Sequence, residues 1–541
     1  MLIFEPHFYR MRKYTRLKRF GGIVLAILLT AFGISAADGF RLDYGASLTG
    51  NFATKGSFAP SYIMSNNHGV TTQANGINLR LNFFHYMDTT RRFSYGFGVD
   101  GVGGYTNKTT YQRYQLNPDG TGEWTTHDLR PVAAVRLQQL FAEIKWRGVY
   151  LTVGMKERGS YLLNDELSSG DVVESANARP LPQARIGFIN YQNIPFTKGW
   201  VQIEGCYAIG KYMDSRWLRD FNSGDNSRYQ SGVWYNYKRI SLRTKPGKPF
   251  SVTLALQAAM QFGGSTYYYS KGQVTSEIKE KITAKTILQT LIPISGGSST
   301  IGNNVYYNGN HYGSIDIMLR YRFRNGDQLR GYLQNLFEDG SGMAKLNGFD
   351  GLWGLEYIKA DQSKGWLTGA VVEYFDFRNQ SGPTHWAPND YSGTTPKDQL
   401  PKPATGKDDY YNNFQYQGAQ YYGLSMGSPM FKSPVYNLNG SQSFTDNRFN
   451  GFHIGIKGRP LSNLGYRLLF SYRRSLGTYD VPAVRPRNTT STMLELVYFP
   501  HALPQLEAKV QAAFDTGTLL QPNFGMLFCL AYKGNFTFRK K

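Results

Sequence analysis

The chain has 541 residues, a formal net charge of +22, 59 glycines, 39 tyrosines, 34 phenylalanines and two cysteines. Cys206 and Cys529 stand more than three hundred residues apart, which excludes a disulfide scaffold, and neither has metal-ligand spacing around it, so both read as buried free thiols. The basic excess favours anionic partners: phosphorylated lipid headgroups, acidic glycans or nucleic acid.

The front end narrows that choice. Arg10, Arg12, Lys13, Arg16, Lys18 and Arg19 precede the apolar run Ile23 to Phe32, and Ser35-Ala36-Ala37 supplies a small-residue cut site. Residues 1–37 therefore read as a secretory signal cleaved after Ala37, with Met11 an alternative start; a spanning helix would need about 20 apolar residues. Subtracting the leader's +5 leaves the remaining 504 residues, 38–541, at +17. Export makes nucleic acid an unsuitable partner. Lipid phosphates, including those of lipopolysaccharide, and an acidic surface polysaccharide remain.

From residue 40 onward period-2 alternation recurs. INLRLNF sets Ile77, Leu79, Leu81 and Phe83 against Asn78, Arg80 and Asn82; LEAKVQAAF sets Leu506, Ala508, Val510, Ala512 and Phe514 against Glu507, Lys509 and Gln511. Such segments have one apolar and one polar or small face. The runs fall at 40–54, 76–88, 92–105, 132–146, 149–156, 183–191, 199–212, 232–245, 249–263, 313–324, 327–337, 351–360, 366–377, 447–459, 464–475, 490–500, 504–515 and 522–533. Their length suits a tilted bilayer crossing, and an exported chain without a spanning helix crosses a membrane only as a closed barrel. The expectation is an all-β transmembrane antiparallel barrel of about eighteen strands, with sixteen the alternative. Arg147-Gly148 and Asn325-Gly326 mark tight hairpins. Cys206 and Cys529 fall on the inward parity, far apart.

Two stretches break the alternation. Val274, Ile278, Ile282 and Leu288 are spaced like an amphipathic helix over 274–292, placed in the lumen, at the periplasmic rim or in an extracellular loop. Residues 384–413 hold four prolines and no period, the mark of a long loop.

FEDGSGMAKLNGFDGLWG, residues 337–354, gathers Glu338, Asp339, Asp350 and Ser341. Hydrolysis by Ser341 would need a nearby histidine, which the segment lacks; a paired-carboxylate site stays open, while the oxygen-ligand spacing of a calcium loop is absent. A turn presenting a binding surface fits better. Glycan hydroxyls take planar bidentate partners, and sugar C–H faces pack on aromatic rings. Carboxylates, amides and rings interleave at Asp350 with Trp353, at Asn310-His311-Tyr312, at Asp408-Asp409-Tyr410-Tyr411-Asn412 and at His385-Trp386, and Arg179, Arg185 and Arg448 would complement an acidic polymer. No cofactor or metal is expected.

Several strings, in order, resemble one family: NARPLPQARIG, TKGWVQIEG, LALQAAMQFGG, GNHYGSID, FEDGSG, DGLWGLE, EYFDFRNQSGP (opening on Glu373), DDYYNN, NRFNGFHIGIKG and SYRRSLGTY. Together they resemble the Wzi-type capsule-assembly family of outer-membrane barrels. The resemblance implies eighteen strands with an accompanying helical bundle, and a non-enzymatic, lectin-like role holding exported capsular polysaccharide at the cell surface. It adds Glu373 to the candidates. The section before about residue 130 carries alternating strands rather than helical periodicity. The competing readings are a porin or substrate-diffusion channel and an outer-membrane hydrolase.

Overall fold

The computed structural model describes residues 40–131, 133–291, 309–338, 340–343, 345, 347–380, 384–386, 403–405, 408–413 and 415–538. The leader 1–37, Asp339 and most of the loop 384–413 lie outside the described residues. The alternating stripes behave as lipid contact demands. Ile77, Leu79, Leu81 and Phe83 are 43–52% exposed while their neighbour Asn78 is 3% exposed, so the apolar side faces out and the polar side in. Among the described residues no second sheet covers the stripe.

Eighteen antiparallel strands close on themselves. They are β1 (Phe40–Ala53), β2 (Gly76–His85), β3 (Phe93–Thr106), β4 (Val135–Trp146), β5 (Val149–Met155), β6 (Gln183–Phe188, resumed at Gln192–Asn193), β7 (Val201–Lys211), β8 (Trp234–Thr244) and β9 (Phe250–Phe262). The second half comprises β10 (Asn310–Arg322), β11 (Gln328–Phe337), β12 (Gly351–Ile358), β13 (Gly365–Asp376), β14 (Phe449–Leu461), β15 (Leu464–Gly477), β16 (Pro482–Tyr498), β17 (Leu506–Gly517) and β18 (Asn523–Phe538). Each pairs with its sequence neighbour, and β1 pairs with β18 from Phe40↔Phe538 to Ala53↔Gly525, which removes every open edge. One end of the barrel has short turns. Arg147-Gly148 makes a two-residue turn with Arg147 at φ 52°, and Gly326 (φ 89°) closes the turn after β10. The other end carries the long loops. Cys206 and Cys529 are both unpaired and on the inward parity.

The helix expected over 274–292 needs correction. Residues Gln273–Glu280 are a strand, and only Ala284–Leu291 is helical. Lys271 and Gly272, both at positive φ, form a two-residue turn that folds Gln273–Glu280 back onto Gly264–Ser270, and Val274, Thr275 and Ile278 are β-branched. That pairing overrides an apparent i, i+4 spacing. Of the three placements, the lumen and the periplasmic rim are excluded; the helix belongs to the long-loop-end connection between β9 and β10. It lies on the outer wall, where Lys238, an outward residue of β8, donates to the Thr290 carbonyl at 2.6 Å and Tyr207 of β7 meets the Thr290 hydroxyl at 2.5 Å. Lys238 and Tyr207 are cross-strand partners, so the helix end shields a lysine that would otherwise meet acyl chains. The helical bundle implied by the resemblance is not among the described residues, whose longest helix has eight residues; none is long and apolar enough to cross a membrane.

What fills the lumen is mostly loop, with a one-turn helix at Ser61–Met64. Three long-loop-end segments fold inward: 54–75, 156–182 and, among the described residues, 408–413 with 415–447. Two luminal glycines let them press on the wall: a Cβ at Gly455 would collide with the Leu167 carbonyl, and one at Gly525 with the Pro60 ring.

Candidate functional site

The inward segments are tied to the wall by polar side chains that the period-2 pattern turns into the lumen. Around the circumference, segment 156–182 meets Arg80 through Glu157 (2.8 Å), Glu356 through Asn164 (2.9 Å), Lys457 through Glu166 (2.6 Å), and Gln257 and Gln334 through Asp171 (3.0 and 2.7 Å). His453, fully buried, is held between the Tyr62 hydroxyl and the Leu167 carbonyl, both at 2.7 Å. Buried polar groups are tolerated because they are paired. A cavity of about 330 Å³ survives between plug and wall, lined among others by Arg80, Arg467, Lys509, Asn67, His68 and Asp165.

Most of the sequence-derived candidates are parts of this scaffold. Arg185 of β6 is 4% exposed, paired with Glu174 at 2.6 Å and stacked on Tyr237. Glu373 of β13 is buried, accepting from the Tyr332 hydroxyl (2.5 Å) and the Ser169 amide (2.7 Å). Glu338 accepts the Tyr411 amide at 2.6 Å, and Tyr411 donates its hydroxyl to the Val172 carbonyl. Tyr410 is buried against Phe377 and accepts from Asn347 (3.2 Å). Asp409 accepts from Asn412 and Asn447 (3.1 and 2.5 Å), and Asn310 binds Gln261 and Asn413 (2.9 and 3.1 Å). The structure therefore brings Glu338, Asp350, Asp409, Tyr410 and Tyr411 together where the 338–350 loop crosses segment 408–413, with the carboxylates engaged as loop staples.

Four candidates sit apart from that cluster. Trp353 and His311 are corrected: both have outward parity, Trp353 beside Leu355 at 41% exposure and His311 in line with Ile315 and Ile317. Trp353 is a girdle residue, edge-on to Phe349. Arg179 stacks on Tyr422 and Arg448 on Tyr479, at 4.7 and 4.1 Å. Asp339 lies outside the described residues. Among the described residues no group of three His, Cys, Asp or Glu side chains could hold a metal ion.

The loop electrostatics have a pH signature. Burial pushes the Asp350 carboxyl up to about 7, against the pull of the Gln380 and Asn379 amides it accepts. Asp214 is likewise pushed up to about 7. A raised carboxyl contributes stability that is fully present below its ordinary value, about 3.9, and is lost as pH rises through about 7. Buried His68, whose pKa is lowered by desolvation, acts oppositely: its contribution is present above its ordinary value and is lost as pH falls through the lower folded value. The difference between wild type and Asp350→Asn isolates Asp350: the denaturant midpoint of the variant is expected to fall less than wild type's between pH 5 and pH 8. Equal shifts would show that Asp350 does not titrate there.

Sequence reasoning missed one surface. Ser227–Ser231, Gly264–Ser270 and Gln273–Glu280 form a three-stranded sheet at the long-loop end. Its inner face is fastened to the plug by Gln230 and Thr266 to the Gln415 carbonyl and by Glu280 to Gln415 and Tyr416. Tyr229, Tyr267 and Tyr269 share the opposite face; Tyr229 and Tyr267 stack at 4.9 Å, and Tyr269 lies 5.9 Å from Tyr229. The Tyr267 hydroxyl donates to Glu277, holding that carboxyl below its usual range, and Lys279 pairs with Glu277 at 3.5 Å. The hairpin Thr109–Leu116/Gly122–Leu129 donates its Tyr114 amide to the Ser223 carbonyl, four residues ahead of this sheet, and carries Trp124, 53% exposed, edge-on to Tyr114. The string Tyr267-Tyr268-Tyr269 and the Lys-Gly turn were the available signals.

No family model matches the chain, and no curated protein matches it by sequence. Among solved structures it is similar to Wzi of Escherichia coli, described as an outer membrane protein involved in group 1 capsule assembly and a carbohydrate-binding β-barrel. That match has a TM-score of 0.51 at 10% identity, over 93% of this chain and 86% of Wzi. Looser likenesses include OccK5 (OpdH) of Pseudomonas aeruginosa (TM-score 0.42, 10% identity, 92% of this chain and 98% of that one). Another is OccAB4 of Acinetobacter baumannii (TM-score 0.41, 11% identity, 92% and 99%). What is shared with Wzi at such identity is the fold: this chain is a closed eighteen-strand antiparallel β-barrel of the outer-membrane kind.

Proposed function

We propose that the protein holds an exported surface polysaccharide, of capsular type and acidic, at the outer face of the outer membrane, without chemistry. The observation that carries this reading is the tyrosine-lined sheet standing over a lumen already filled by loops. Aromatic rings offer flat faces to sugar C–H surfaces, and Glu277, Lys279 and the serines at 227, 231 and 265 flank them with hydroxyl partners. A repeating polymer gains retention from many weak contacts of this kind rather than from one tight pocket. Short turns face the periplasm in such barrels and long loops the exterior, which puts the sheet on the polymer's side. The likeness to a carbohydrate-binding barrel agrees with the reading. Lipid and lipopolysaccharide headgroups are the other anionic partners in this reading, in keeping with the basic excess of the chain.

The test is polymer retention. Tyr229→Ala/Tyr267→Ala is expected to shift polysaccharide from the cell-bound to the shed fraction, while Glu338→Gln is not. Retention unchanged in the tyrosine variant, with the barrel folded and exported, would reject the surface; loss of retention in Glu338→Gln alone would revive the hydrolase reading. A large steady current through the wild-type protein in a planar bilayer would favour the diffusion channel instead.

A further inference from the structure

Around the luminal wall toward the short-turn end, cations are matched by acids. Arg41 pairs with Asp43 (2.7 Å), Lys156 with Glu143 (2.6 Å), Arg239 with Glu204 (2.7 Å), Lys457 with Glu166 (2.6 Å), Arg467 with Glu495 (2.9 Å) and Lys533 with Glu507 (3.0 Å). Not every luminal cation is so matched, since Lys145 of β4 donates to the Arg91 backbone carbonyl instead, but one sector gathers four cations around a single acid. Arg243 of β8, Arg320 and Arg322 of β10 and Arg330 of β11 all have luminal parity, alternating with outward Leu242, Leu319, Tyr321 and Leu329. Their charges act on one another, with Arg243, Arg322 and Arg330 all near Arg320. Arg320 and Arg330 are direct cross-strand partners, an arrangement that costs stability in a sheet. Among the described residues only Arg330 of the four forms an ion pair, with Glu356 at 3.3 Å.

Two of the guanidiniums, those of Arg243 and Arg320, are held in place by groups that leave their charge unneutralised. Arg243 donates to the Gln202 side chain at 2.8 Å and lies 3.8 Å over the Tyr191 ring. Arg320 donates to the Pro246 carbonyl at 2.5 Å, and its buried Nε finds no acceptor in the described protein. Arginine's planar fork matches carboxylate and phosphate geometry, and a fixed fork loses little freedom on binding. The inward parity points the cluster away from the lipid leaflet.

We infer that Arg243, Arg320, Arg322 and Arg330 form an oxyanion site at the short-turn mouth of the lumen, taking the carboxylates or phosphates of a soluble acidic chain. This does not rest on the reading of the long-loop surface, which lies at the other end of the barrel. The site would hold an anionic segment on the periplasmic side.

The probe is poly-L-glutamate, labelled and titrated into the full-length protein in neutral detergent micelles. Wild type is expected to bind with an affinity that falls as salt rises, and Arg320→Gln/Arg322→Gln to bind about tenfold more weakly or worse. Arg243 and Arg330, whose side chains bind Gln202 and Glu356 of the wall, are left in place; Arg320 gives up its contact to the Pro246 carbonyl, so an unchanged denaturant midpoint is the check that the variant is folded. Arg324→Gln/Lys364→Gln, in exposed turns at the same end, is expected to leave binding unchanged. The inference is overturned if the luminal and turn variants lose affinity equally, or if neither does. It is also overturned if the luminal variant loses binding only to phosphatidylglycerol vesicles and not to poly-L-glutamate, which would make the cluster a reader of lipid phosphate.

Discussion

Replacing residues 157–181 by a short turn is expected to produce a steady ionic current in planar bilayers, where the wild-type protein shows little. The replacement is feasible because the segment leaves and re-enters the wall at adjacent points: Gly154 of β5 and Gln183 of β6 are cross-strand partners. It is consequential because this segment touches the wall from Arg80 round to Glu356, Lys457 and Arg185, while an eighteen-strand barrel by itself is wide enough for an aqueous lumen. The wall groups left behind are polar and face water once the plug is gone, so the barrel itself should survive. A folded variant that stays silent would show that the other two segments alone seal the lumen.

Glu174→Ala is expected to cost about 3–5 kcal/mol of stability, because it strands the Arg185 charge in a site only 4% exposed. Arg185 has the Tyr237 ring at 4.6 Å but no second carboxylate within ion-pairing distance among the described residues. Glu174→Ala/Arg185→Met, which removes both charges, should recover most of the loss. The readout is the denaturant midpoint of the full-length protein in micelles. Burial alone would raise the Glu174 carboxyl, but Arg185, together with Arg158 and Arg239, outweighs it and holds the group below the usual range; Glu157, facing His68 and Arg80, behaves alike. A depressed carboxyl contributes stability that is present above its ordinary value, about 4.3, and is lost as pH falls through the lower folded value. Wild type should therefore lose plug anchoring only in strong acid, and Glu174→Ala should lose less of it there. Equal midpoints for the single variant and wild type would mean that the pair does not fasten the plug.

These anchors were invisible before the fold was known, and the reason is range. Glu373 to Ser169, Asp171 to Gln334 and Tyr62 to His453 join residues 204, 163 and 391 positions apart. A carboxylate that staples a loop has the same local sequence as one that binds a ligand. Hence Glu338, Asp350, Tyr410 and Tyr411 were legible as a cluster, but their use as fasteners was not. His311 and Trp353 could have been placed by parity alone, had the alternation of β10 and β12 been carried through the motif.

By itself the sequence determined the barrel: roughly where the strands run, with sixteen and eighteen both open, which side meets lipid, and that both cysteines turn inward. That is because a lipid-and-water sandwich imposes a period of two residue by residue, and the signal is local. The tertiary structure alone decided that three loops fill the lumen, that the helix Ala284–Leu291 rides outside the wall, that tyrosines at 229, 267 and 269 share one face, and that four arginines from three strands crowd one mouth. Each of these depends on closure bringing distant segments together, and closure leaves no trace in any single window of the chain.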